Sequence, residues 1–108
     1  MKHEYLGRWR IVEMEMWDQD YIDIEVPGYI LFEANDLGEF QFGTVAGSLD
    51  YRIEPYEKTE RLKFSWSGSA EMDSVSGRSW AIIKEGKLHG RLSFHQGDES
   101  GFLAEKQS

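Results

Sequence analysis

Apolar and polar residues alternate along nearly the whole chain, and turn residues interrupt the alternation at short intervals. Successive side chains of a β-strand point to opposite faces, so this period marks a run of strands with one buried face each. The clearest is Arg61 to Gly68, where Leu62, Phe64 and Trp66 share one face and Arg61, Lys63, Ser65 and Ser67 the other. A chain built this way has few folds open to it, because every strand must bury its apolar side and hide its edge.

The first strand spans Tyr5 to Trp17 and changes parity partway. Trp9 and Ile11 share a face with Glu13 and Glu15, whereas Val12, Met14 and Met16 lie on the other. A β-bulge near Ile11–Val12 re-aims the side chains and keeps both glutamates in water. Without it the glutamates point inward and need partners. Asp18 to Gly28 is an acidic connection with room for a short helical turn or a lid. Tyr29 to Ala34, Glu39 to Val45 and Ser48 to Tyr56 follow as strands, with breaks at Asn35–Gly38 and Ala46–Gly47. After Arg61 to Gly68, Ser69 to Gly77 reads as a polar loop. Arg78 to Lys84 and Leu88 to His95 form a hairpin around Glu85-Gly86-Lys87. The tip Gln96 to Gly101 leads into a last strand, Gly101 to Glu105, and Lys106 to Ser108 frays.

About eight antiparallel strands on short connections make a meander, and eight close into a barrel without exposed edges. The expected fold is therefore all-β, a single barrel domain over residues 1–108, with a five-stranded OB-like barrel as the alternative. Phe40, Phe42, Leu49, Tyr51, Ile53, Leu62, Phe64, Trp66, Trp80, Ile82, Leu88, Leu92, Phe94 and Phe102 are expected inside. An eight-stranded interior is filled by side chains or holds one small ligand. This much bulk points to a mostly filled interior, open at one mouth.

Composition bounds the chemistry. The chain has no cysteine, which excludes disulfides and thiolate metal sites and suits a cytoplasmic location. Met1 to Tyr5 lacks the apolar run of a signal peptide, and no segment approaches the roughly 20 apolar residues of a membrane span. The net charge of −8 is unevenly placed: residues 11–51 carry ten acids and no Lys or Arg. Such a surface repels nucleic-acid backbones and anionic membranes and is suited to a cationic partner, or simply to solubility.

Specific chemistry finds little support. Asp18, Asp20, Asp23 and Glu25 resemble a calcium loop in spacing, but Ile22 and Asp23 occupy positions that need an oxygen ligand and a glycine. His89 and His95 are six residues apart, ~20 Å on a regular strand. Zinc bonds nitrogen at ~2.0–2.1 Å, so they cannot share one ion. His95 with Asp98 or Glu99 remains open across the turn. No nucleophile elbow or phosphate-binding glycine loop is present. Phe40 and Phe42 resemble a base-stacking strand but lie in the wholly acidic region and read as core.

Gly7-Arg8-Trp9 resembles the Gly-x-Trp that opens barrels of the lipocalin and fatty-acid-binding group. That resemblance implies a lipocalin-like barrel with a small-molecule pocket, whose tryptophan closes one end under a basic residue near the last strand; Lys106 or Arg91 is placed for that part. A broader likeness runs through GRWRIVEMEMWDQDYIDI, FGTVAGSLDYR, FSWSG, SGRSWA and GRLSFHQGDESGF. It is to a family of small uncharacterised bacterial proteins, and implies a bacterial cytoplasmic domain without assigning catalytic residues.

Binding is thus the expected role, with no cofactor and no catalytic residue assigned. Trp17, Asp18, Asp20 and Tyr21 form an aromatic and acidic connection suited to a protein contact or a barrel mouth. His95, Asp98 and Glu99 are the remaining candidates, on a hairpin otherwise read as structural closure. Three functions follow: a protein-interaction module or dimer using the acidic Glu13–Glu25 segment, a lipocalin-type binder of a small apolar ligand, or a metal-dependent enzyme or metal-binding protein.

Overall fold

The computed structural model describes residues 4–107. Met1 to His3, part of the stretch read for an export signal, and Ser108 lie outside them. Eight antiparallel strands close into a barrel in sequence order, β1 Gly7–Met14, β2 Tyr29–Phe32, β3 Leu37–Phe42, β4 Val45–Tyr56, β5 Thr59–Ala70, β6 Asp73–Lys84, β7 Lys87–Phe94 and β8 Glu99–Lys106. β8 pairs back onto β1, so no edge is left unpaired, and the OB-like alternative falls away. Among the described residues, no helix is long and apolar enough to cross a membrane.

The bulge lies where the parity change placed it. Pairing of β1 with β8 slips between Ile11 and Glu13, so Trp9, Ile11 and Met14 are all buried while Glu13 and Glu15 face water. β1 then ends at Met14, earlier than the alternation suggested.

Four expectations are overturned. Ser69 to Gly77 is not a loop: β5 runs to Ala70, β6 starts at Asp73, and Glu71 and Met72 turn the chain with φ of 50° and 82°. Polar composition there reflects a hairpin arm standing beyond the packed wall, with Met72 98% exposed. Ala46–Gly47 is not a break either, since the turn is Gly43–Thr44 and β4 runs through. β8 likewise extends to Lys106. Most consequentially, Trp80 and Ile82 are half-buried on the outward parity of β6, and Gly77, Ser79 and Ala81 occupy the buried one. These small residues pair with Trp66, Phe64 and Leu62 of β5, so one strand supplies the volume and its neighbour the room.

The interior is filled by rings. Phe32 meets Tyr51 and Phe64 edge-on; Phe40 stacks on Phe42 and meets Trp66 edge-on; Trp66 meets Phe94 edge-on. At one end Trp9 is buried beneath the Lys106 ammonium, 4.7 Å from the ring centroid, and its indole N–H donates to the Tyr5 carbonyl at 2.9 Å. Lys106 takes the covering position, whereas Arg91 pairs elsewhere, with Glu15 and Glu99. Tyr29 and Tyr56 lie beneath the guanidinium groups of Arg8 and Arg61.

Candidate functional site

In an eight-stranded meander the connections after odd-numbered strands all emerge at one end. That end carries the β1–β2 connection, the Gly43–Thr44 and Glu71–Met72 turns, and the β7–β8 tip.

The long β1–β2 connection is strapped across this mouth. Asp18 caps the four-residue helix α1 (Gln19–Ile22) by accepting from the Tyr21 N–H at 3.0 Å. Ile22 is fully buried, and its carbonyl accepts from the Gly43 N–H at 2.8 Å. The Tyr21 ring lies over Gly43, where an added Cβ would sit 2.1 Å from it, and φ is +56°; only glycine meets both demands. The Tyr21 hydroxyl is 3.1 Å from that of Thr44.

Behind α1, Asp23 ties the connection to β1. Its two oxygens take the Arg10 guanidinium at 2.6 and 2.7 Å, and it also accepts from the Gly28 N–H at 2.8 Å and Gln19 at 3.0 Å. The Arg10 hydrogen bond, above all, holds the Asp23 carboxyl well below the usual carboxylate range. The resulting stabilisation is complete above the unfolded-chain pKa of about 3.9 and declines as pH falls from there toward the folded value.

Trp17 plugs the space between this strap and the barrel rings. It stacks on Tyr21 with centroids 6.1 Å apart, tilts against Phe42 at 5.2 Å and meets Phe94 edge-on at 6.1 Å. On its outer side opens a cleft of about 300 Å³ lined by Trp17, Val45, Val75, Phe94 and the tip residues His95 to Asp98. The tip is shaped by the Phe94 N–H donating to Asp98 and the His95 N–H donating to Ser76, at 2.9 and 2.7 Å. Among the described residues, no lysine or arginine lines the cleft.

The two stretches singled out in the sequence, Trp17–Tyr21 and His95–Glu99, thus meet, though not every residue takes part. Trp17, His95 and Asp98 line the cleft, and Tyr21 supports Trp17 from behind. Asp18 is engaged as a helix cap and Asp20 is exposed in the first turn of α1. Glu99 turns onto the outer wall, where its hydrogen bond from Arg91 holds its carboxyl below the usual range. Val45 and Val75 escaped notice, the latter because it stood in a stretch read as loop. Its isolation among Asp73, Ser74, Ser76 and Gly77 was the available signal of an inward position.

Among the described residues, no three His, Asp or Glu side chains come together to hold a metal ion, so His95 and Asp98 have no third ligand beside them. No family model, no curated protein and no solved structure matches the chain.

Proposed function

We propose that the chain is a binding domain that takes a small apolar or aromatic molecule, neutral or cationic, at the barrel mouth. The cleft between Trp17 and Phe94 carries this reading: an apolar floor with a few polar groups at one rim is the usual build of a small-molecule site. Its volume is at the lower end of the usual range of ~300–1,000 Å³. Because rings fill the interior, the ligand sits at the mouth, unlike one enclosed in an open-cored lipocalin-like barrel. Asp98 at the rim, with no lining cation among the described residues, disfavours an anionic ligand.

The test is an amide-shift titration with naphthalene derivatives bearing an aminomethyl or a carboxylate group. The amine is expected to bind saturably with shifts centred on residues 17, 45, 75 and 94–98, and Trp17→Ala to weaken it by about tenfold or more. Tighter binding of the carboxylate, or no saturable shift with either, would overturn the reading.

The acidic segment supports a second reading, a docking surface for a cationic protein. Asp18, Asp23 and Glu15 are engaged within the fold, but Glu13, Asp20 and Glu25 face water beside Met16 and Ile24, which are 50% and 63% exposed. A lysine-rich amphipathic peptide is expected to bind this segment several-fold more weakly at ~0.3 M than at ~0.05 M salt. A salt-independent affinity counts against it.

A further inference from the structure

We propose that a depression on the outer wall of β4, β5 and β6 is an anion site for a small hydroxylated phosphomonoester, separate from the mouth cleft. The depression holds about 280 Å³ and is lined by Asp50, Arg52, Lys63, Ser65 and Arg78 over a floor of Tyr51, Phe64 and Ser79. The register puts these outward side chains side by side: Arg52 opposite Lys63, Asp50 opposite Ser65, and Ser65 opposite Arg78.

Three observations point to an anion. First, Arg52 and Lys63 are directly opposed like charges, an unfavourable arrangement on a sheet face, and among the described residues Glu54 offsets Lys63 but not Arg52. Second, Arg52 and Arg78 are exposed and their guanidinium groups make no hydrogen bond or ion pair with any described residue, whereas the Lys63 ammonium is 3.6 Å from Glu54. Third, the cations border a concave surface in a chain of net charge −8, so an anion is drawn to this spot and repelled by much of the rest.

The donor set suits phosphate. Two arginine forks match its oxygens bidentately, Lys63 adds a point charge, and the Ser65 hydroxyl donates from the centre. Asp50 is the selective element. A carboxylate repels a bare oxyanion but accepts from a hydroxyl, so the ligand carries its phosphate toward Arg52 and Arg78 and a hydroxyl toward Asp50.

Amide-shift titrations with glycerol 3-phosphate, inorganic phosphate and sulfate test this. Glycerol 3-phosphate is expected to give saturable shifts confined to residues 50–52, 63–65 and 78–79, binding several-fold more tightly than either inorganic ion. Arg52→Gln with Arg78→Gln is expected to weaken it by more than about tenfold, while Lys58→Gln on the β4–β5 turn leaves it unchanged. Asp50→Asn is expected to erase the preference over inorganic phosphate. These side chains are exposed or half-buried, and an unchanged amide spectrum outside the wall verifies that each variant folds. The assignment is overturned by an absence of saturable shifts, by equal binding of all three anions, or by equal losses in Lys58→Gln and the double variant.

Discussion

Replacing Trp9 with alanine is expected to destabilise the fold by about 3–5 kcal/mol, the usual loss for a large aromatic removed from a core. Against a total of ~5–15 kcal/mol for a domain of this kind, that leaves little reserve. The magnitude follows from what the ring does. It is 2% exposed, it closes the barrel end opposite the cleft, and its N–H satisfies the Tyr5 carbonyl. The ring also seats Lys106, whose ammonium donates to the Leu6 carbonyl and, at 3.4 Å, to that of Glu4. Burial lowers the Lys106 pKa, yet the ring face and two carbonyls replace much of the lost water. Trp9→Phe keeps an aromatic face and loses the N–H bond, so its expected cost is smaller, about 1–2 kcal/mol. Urea unfolding midpoints check the order, and a loss below ~1 kcal/mol for Trp9→Ala would mean that the end is closed by other means.

The barrel was legible because most strands carry bulk on one parity only. Leu62, Phe64 and Trp66 admit one orientation, and β1 betrayed its bulge because Ile11 and Met14 are three residues apart on a strand that must bury both. β6 was misread because both its parities are partly apolar. Trp80 and Ile82 outrank Gly77, Ser79 and Ala81 in size, and size was the wrong criterion beside a strand already carrying Trp66 and Phe64. Burial here follows available volume, a property of the pair of strands that no single strand displays. The Ser69–Gly77 stretch reads as loop for a related reason, since Ala70 and Val75 alone mark the half-buried face of its hairpin arm and the turn at Glu71–Met72 separates them.

The candidate site was legible in pieces. Trp17–Tyr21 and His95–Glu99 stood out as aromatic and acidic clusters, but alternation alone does not bring them together. Strand count does: with eight antiparallel strands, the connections following β1 and β7 share one end. Glu99 left the cluster because β8 begins there and its outward parity brings it to Arg91. The outer-wall cations were unremarkable in sequence, since their opposition depends on the register of three strands.

Gly77→Ala is expected to be among the most damaging glycine-to-alanine changes in the chain, costing about 4 kcal/mol or more or preventing folding. An added Cβ would lie 1.8 Å from the Ser93 carbonyl oxygen of β7 and 3.1 Å from Cε2 of Trp66. The nearer atom is backbone, held in the β6–β7 ladder by the pairing of Gly77 with Phe94, so no rotamer change relieves the overlap. Moving Trp66 instead disturbs its edge-on contacts with Phe40 and Phe94, and through Phe94 the wall of the mouth cleft. Gly101→Ala is the matched control: its Cβ would meet nothing nearer than Arg91 Nη1 at 3.5 Å, an ordinary contact, and the expected change is within ~1 kcal/mol. Trp80→Gln completes the argument, because an outward ring leaves the packed interior untouched and its removal is expected to cost less than about 1.5 kcal/mol. Chemical denaturation of the three variants separates the two possible faces of β6. A tolerated Gly77→Ala together with a strongly destabilising Trp80→Gln would place Trp80 inside and remove the close approach of β6 to β7. The reverse order fixes the small residues of β6 as the room into which the barrel packs its rings.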